Sequence, residues 1–293
     1  MSGRIVVGYT ATKAGADAVA FASRLAAASD AVVHLVLVLP LGARGVVPPD
    51  ASYDRHVREQ AGQWLRAGAE AIPAGIEHRA HVRYAEAVAE GLVDAADELE
   101  ASLIVVGAAD GGHRGRHRLG TTASELVHSS DVAVALVPRG ARRIPHEVGV
   151  SRLTAAVGER QGTDLLVEAT VRLAAATGAS VRLLSLVALD LPAGLDTAAI
   201  RVAGDTHARD VLEGVRSALP DTADVDAVVA SGDGIEDAAS NLEWQAGEVV
   251  LVGSSRLARP RRLFLGSTAA RMLRVVTAPM IVVPRTRSER KGA

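Results

Sequence analysis

The chain contains no cysteine. Disulfides, thiolate metal sites and thiol catalysis are therefore excluded, and the composition suits a reducing compartment. Aromatic residues are scarce, with two tryptophans, two phenylalanines and three tyrosines among 293 residues. Recognition of single strands by base stacking has little material to work with. Neither charge sign is in excess, since 32 Lys and Arg face 34 Asp and Glu. A formal net charge of −2 leaves no basic footprint for nucleic acid, and none is expected as a partner. No apolar run reaches membrane-spanning length, and the opening MSGRIVVGYTATK has too short an apolar stretch for a leader's core. No membrane association is expected, and the cytoplasm is the expected location.

What the chain does have is apolar bulk and a repeat. Hydrophobic residues make up 48% of it, enough for a real core, and its length suits two domains. Gly107 and Gly120 bracket a basic loop in IVVGAADGGHRGRHRLGTTA, and Gly253 and Gly266 bracket another in VLVGSSRLARPRRLFLGSTA. The two pairs lie 146 residues apart, as do the segments ALVPR and IVVPR that end at Arg139 and Arg285. Near the start of each half the offset is 148, matching Arg24-Leu25-Ala26 to Arg172-Leu173-Ala174. An offset held through several elements marks a duplicated domain, with expected bounds 1–143 and 144–293.

Each half reads as alternating strands and helices. In the first, strands are expected near 4–9, 32–39, 77–84, 102–107 and 132–137. Ala18, Phe21, Ala22 and Leu25 recur at helical spacing, and Leu166, Ala169, Thr170 and Leu173 repeat that face. The runs at 103–106 and 249–252 are continuously apolar, as in strands covered on both faces. Alternation of this kind implies a parallel sheet with right-handed crossovers. Asp233 and Glu236 are expected to form a capping box. The joint around 139–151 and its arginines read as a solvated linker.

The glycine pairs carry the chemistry. Each joins the end of an apolar strand to a helix start, where backbone N–H groups favour anions. Gly120 is followed by Thr121 and Thr122, and Gly266 by Ser267 and Thr268. Basic residues fill the loops, Arg256, Arg259, Arg261 and Arg262 in the second copy and His113, Arg114, Arg116, His117 and Arg118 in the first. This is the layout of a phosphate cradle. It is also the layout of ordinary turns and caps, and two copies establish shared ancestry rather than retained binding.

These residues resemble the universal stress proteins, whose nucleotide-binding members carry G-x2-G-x9-G-[ST] after the fourth strand. The opening strand and helix and the endings ALVPR and IVVPR resemble that family too, so the likeness covers essentially the whole chain. It implies two tandem doubly wound, Rossmann-like domains of the HUP type, each with a five-stranded parallel sheet. It implies a stress-response regulatory protein that binds ATP or a related adenine nucleotide, with or without Mg2+. It also implies dimerisation through fifth strands, here an internal pseudo-dimer of 132–137 with 280–283, and a homodimer of chains as a further option.

Carried over residue by residue, the likeness assigns one site to Gly158, Leu186, Gly253, Ser254, Arg256, Gly266, Ser267 and Thr268. It assigns another to Thr10, Val38, Gly107, Asp110, Gly120, Thr121 and Thr122. The family's middle glycine is Asp110 in one copy and Arg256 in the other, and its acidic residue after strand one is Thr10 or Gly158. A carboxylate at Asp110 would repel a triphosphate by roughly 1–4 kcal/mol if partly shielded from water. Arg256 would instead pair with it. The second copy is therefore the expected nucleotide site and the first the doubtful one.

Other readings are set beside this. His113 and His117, and His78 and His81, lack a third ligand, so no metal site is expected. Trp64 and Trp244 are expected on helices as packing residues. The signatures SGGxDS and HxGH of related nucleotide enzymes are absent, and no Ser-His-Asp set or carboxylate pair stands out. No catalytic residue is assigned, and a slow ATPase is the most activity expected. A nucleotide-independent interaction module with degenerate sites is the alternative function.

Overall fold

A computed structural model describes residues 3–41, 51–109, 119–158, 163–188, 198–217, 224–255 and 263–285. The first half runs β1 (Arg4–Gly8), α1 (Lys13–Ser29), β2 (Val32–Pro40), α2 (Ala51–Glu70), β3 (His78–Ala85), α3 (Val88–Glu98), β4 (Leu103–Gly107), α4 (Thr121–Ser129) and β5 (Ala133–Val137). The second runs β6 (Arg152–Ala156), α5 (Thr163–Thr177), β7 (Ser180–Ala188), α6 (Ala198–Ser217), β8 (Val225–Gly232), α7 (Ile235–Ser240), β9 (Glu248–Gly253), α8 (Ser267–Met272) and β10 (Met280–Val283). The expected strands of the first half are all present within one residue at each end.

Local chemistry explains several boundaries. Thr12 caps α1 by accepting from the Gly15 amide, and Asp30 ends the helix in the left-handed region at φ 51°. Ala18, Phe21, Ala22 and Leu25 are all buried against the sheet. The capping box expected at Asp233 and Glu236 does not form. Gly234 is the cap residue of α7, the Asp237 carboxylate accepts from the Asp233 amide, and Glu236 pairs with Arg271 and Arg274. Trp244 lies in the loop after α7 rather than on a helix. Its Nε1 donates to the Ala239 carbonyl, and Arg182 stacks 5.0 Å from its ring centroid. Trp64, expected to pack, is 39% exposed on α2.

All ten strands join one sheet in the order β3-β2-β1-β4-β5-β10-β9-β6-β7-β8. Every neighbouring pair is parallel except β5 with β10, which is antiparallel. Leu136 faces Met280, Ala135 faces Ile281 and Val134 faces Val282. Ala135 and Ile281 are repeat equivalents, so the pairing is self-complementary about that point. The period of two sends Ala135, Val137, Ile281 and Val283 into one core layer and Val134, Leu136, Met280 and Val282 into the other. Both layers thus run unbroken from one half to the other.

The joint is docked rather than solvated. Asp17, 1% exposed on α1, accepts from the Gly140 and Arg142 amides at 2.9 Å and from the Arg142 guanidinium at 2.8 Å. Buried Arg24 donates to the Ala141 and Ile144 carbonyls. Helix α1 therefore holds the connection at two points along its length.

The two halves differ at the amino-terminal ends of their strands. In the first, His34 Nδ1 lies 3.0 Å from His81 Nε2, a pairing between β2 and the edge strand β3. His34 is 3% exposed. Burial, then the charges of His81, Arg79 and Arg4, push its pKa down to about 4, with Glu77 opposing. At the matching position of β7 stands Arg182, also buried. It donates to Glu248 at 2.6 Å and to Thr154 at 2.9 Å, while Arg152 donates to the other Glu248 oxygen at 2.7 Å.

Two predictions follow from these contacts. His34 is neutral when folded but binds a proton when unfolded between pH 6.5 and about 4. The unfolded state then holds more protons, so stability is full above pH 6.5 and falls by about 2–3 kcal/mol as pH drops through that window. Urea unfolding at pH 7 and pH 4.5 should show this loss, and His34→Gln should remove most of it. The second concerns Gly107, where an added Cβ would collide with the Ala14 carbonyl of α1. Gly107→Ala should cost about 1–3 kcal/mol in the same assay, because backbone cannot move aside as a side chain can.

Candidate functional site

In each half the strand order reverses between the first and fourth strands, β1 and β4 or β6 and β9. The crevice outside the carboxyl ends of the strands at such a switch point is where open α/β sheets bind ligands. Thr10 lies two residues beyond β1, Gly107 ends β4 and Gly120 caps α4. Gly158, Gly253 and Gly266 occupy the same three stations in the second half. Residues far apart in sequence are thereby brought to one edge, twice.

Val38 and Leu186 reach that edge from the second strands. The Tyr9 amide donates to the Val36 carbonyl at 2.9 Å, just past the last pair of the β1–β2 ladder. Backbone groups two residues on point the same way. Those of Val38 therefore face the crevice where β1 has ended. The Val157 amide donates to the Leu184 carbonyl at 2.8 Å, which orients Leu186 likewise past β6.

The glycine loops open and close alike in both copies. The Ala108 amide donates to the Val137 carbonyl, and the Ser254 amide to that of Val283, each at 2.8 Å. A Cβ on Gly120 would lie 3.3 Å from the Ala109 Cβ, and one on Gly266 would lie 3.2 Å from that of Ser255. Each helix start is thus drawn against the beginning of its loop, closer than a side chain would comfortably allow. The first helical bonds, Ser124 to Gly120 and Ala270 to Gly266, are both 2.9 Å. Neither glycine supplies a side-chain cap, and neither helix has an acidic residue in its first turn. The amides at each helix start therefore face no carboxylate from the helix's own first turn. Thr121 and Ser267 are exposed there, and Thr122 and Thr268 are half-buried.

Some expected residues have other employment. Ser254 is buried, and its hydroxyl accepts from the Phe264 amide at 2.8 Å, while the Ser255 amide donates to the Phe264 carbonyl at 2.8 Å. Ser254 closes its own loop. Thr10 is exposed, and its hydroxyl pairs with that of Thr12 at 2.9 Å. Asp110, Arg256 and the remaining loop arginines and histidines lie outside the described residues. A Cβ on Gly253 or Gly158 would meet no described atom within 4 Å. Gly162, the repeat equivalent of Ala14, is outside the described residues.

Sequence reasoning missed the Ser254–Phe264 closure. Comparing the copies could not reveal it, because Arg118 stands where the second copy has Phe264. Among the described residues no group of three His, Asp or Glu gathers that could hold a metal ion. No described helix is long and apolar enough to cross a membrane.

The universal stress protein family model matches the chain twice, at residues 1–138 and 150–284. Universal stress protein Rv2319c of Mycobacterium tuberculosis is 30% identical over 295 residues, covering 96% of this chain and 99% of that one. Universal stress protein Mb2346c of Mycobacterium bovis matches with the same figures. The crystal structure of a universal stress protein from Archaeoglobus fulgidus superposes with a TM-score of 0.71 at 17% identity, covering 98% of this chain and all of the other. That likeness speaks for the fold. One family model matched in each half, with relatives alike over nearly the full length, makes this chain a tandem two-domain member of the universal stress protein family.

Proposed function

We propose that this protein is a stress-response regulator that binds ATP or a related adenine nucleotide, chiefly in its second half. The observation that carries the reading is the meeting of Gly253, Gly266 and Ser267 at the β6–β9 switch point, beside Gly158. A phosphate there would lie against amides at a helix start and hydroxyls of Ser267 and Thr268. The backbone of Leu186 would contact the adenosine end. Arg256 supplies positive charge to this copy, where Asp110 supplies negative charge to the other. The two units, residues 1–143 and 144–293, act together as an internal pseudo-dimer about the β5–β10 pair. The chemistry proposed is binding, with no group assigned as a general base.

Two observations favour a second reading, a nucleotide-independent interaction module. Neutral Thr10 and Gly158 stand where the family's acidic residue is expected, and the Ser254 hydroxyl is committed to Phe264. Titration calorimetry with Mg-ATP separates the two. One dominant site is expected. Ser267→Asp suits a helix start but repels phosphate, so it should weaken binding at least about tenfold without loss of stability. Gly266→Asp should weaken binding as much, with some loss of stability because its Cβ would crowd Ser255, whereas Gly120→Asp should leave affinity within about twofold. No heat from the wild-type chain, and no nucleotide released by acid extraction, would leave the module reading standing.

A further inference from the structure

The two switch points lie at opposite ends of the ten-stranded sheet, because β5 and β10 are antiparallel. Helix α4 is a crossover helix and runs back against the direction of β4 and β5. Its start, capped by Gly120, belongs to the first site. Its far end must therefore point toward the end of the sheet where the second site opens.

Contacts at that far end are specific. The Leu263 amide donates to the Ser130 carbonyl at 2.7 Å, and the Leu265 amide to the Val127 carbonyl at 3.1 Å. The His128 ring meets Phe264 edge to face, with centroids 4.9 Å apart at 85°. Leu263 and Leu265 are buried in the same core layer as Leu126 and Val127. The receiving surface is itself fixed, since buried Ser130 exchanges hydrogen bonds with both backbone groups of Val132. Residues 263–265 are the returning limb of the second glycine loop, zipped to its outgoing limb through Ser254 and Ser255. One copy's loop is thus held by the other copy's helix. The reverse docking differs, for Leu119, the equivalent of Leu265, is 36% exposed.

We infer that α4 of the first half is a positioning element for the second half's glycine loop, so that the second site is built by both halves. The position of Gly266 relative to the end of β9 is set through Phe264, and Phe264 is held by His128. The consequence for ligand rests on the nucleotide reading above, while the positioning itself does not.

The test uses the full chain with His128→Ala and His128→Phe. Both lose the bond from the His128 ring to the Ser124 carbonyl, 2.6 Å long in the native chain. Only the phenylalanine keeps a ring against Phe264. Amide hydrogen exchange at Leu263 and Leu265 is measured without ligand, and Mg-ATP affinity by calorimetry. His128→Ala should speed exchange at both amides about three- to tenfold and weaken Mg-ATP by a similar factor, with His128→Phe restoring both. Unchanged exchange in His128→Ala overturns the inference, as does faster exchange with unaltered Mg-ATP affinity. Failure of His128→Phe to restore either reading also overturns it. Faster exchange, restored by phenylalanine, in a chain that binds no Mg-ATP would uphold the positioning and sink the nucleotide reading.

Discussion

Ala135 and Ile281 face each other at the centre of the antiparallel pair β5–β10, and the relation between the two halves depends on that pairing. Each fifth strand alone would be an apolar edge, open to any other strand. Pairing them closes both edges at once and lets each core layer continue through the joint. The register is self-complementary because Ala135 and Ile281 are repeat equivalents, so the two halves are related by a near two-fold rotation. Their switch points consequently open at opposite ends of one sheet, and any communication between them must travel along strands or helices that run its length.

Symmetry of fold does not extend to the charges inside it. In the first half the Asp17 carboxylate and the Arg24 guanidinium are buried, and both are spent on the joint between domains. A buried charge is tolerated only where hydrogen bonds replace its water. Three donors at Asp17 and two acceptors at Arg24 meet that requirement. In the second half the buried cluster of Arg152, Arg182, Thr154 and Glu248 sits at the amino-terminal ends of β6, β7 and β9, on strands alone. Burial lowers the Arg182 pKa, and Glu248 opposes the shift. Where that cluster has Arg182, the first half has the neutral pair His34 and His81. The same scaffold position is thus wired for permanent charge in one copy and for a proton-sensitive contact in the other.

Much of this was legible in the sequence because it rests on period and repetition. The 146-residue offset predicted the duplicated strand ends, and continuous apolar runs predicted β4 and β9, since strands covered on both faces have no polar alternation. The placement of Gly107 and Gly120 at one crevice was legible through the same pattern. What escaped notice depends on side chains that meet across the fold. Arg142 looked like part of a solvated run, because nothing local reveals that Asp17, about one turn into a distant helix, lies beneath it. A hydroxyl after a glycine, as at Ser254, suits more than one role, and its bond from the returning Phe264 amide is a contact that no local pattern reveals. The helix start at Gly234 was misassigned to a capping box because Glu236 is drawn off by Arg271 of α8 and Arg274 in the turn beyond it. These are tertiary contacts overriding a local propensity.

Covalent fusion explains how such divergence can accumulate. In a dimer of identical chains every substitution appears twice, at symmetry-related positions. A carboxylate at Asp110 would then burden both sites, and an arginine in place of Arg256 would enter both loops. In a tandem chain the copies mutate separately, while the high effective concentration of linked domains keeps the fifth strands together even as the surfaces around them change. The docking of Leu265 on α4 is a contact of this kind, because its equivalent Leu119 is exposed. Once one copy's loop depends on the other copy's helix, the halves cease to be interchangeable. The helix that begins at the first half's switch point then has a reason to be retained that is independent of any ligand there, namely the docking of Leu263 and Leu265 at its far end.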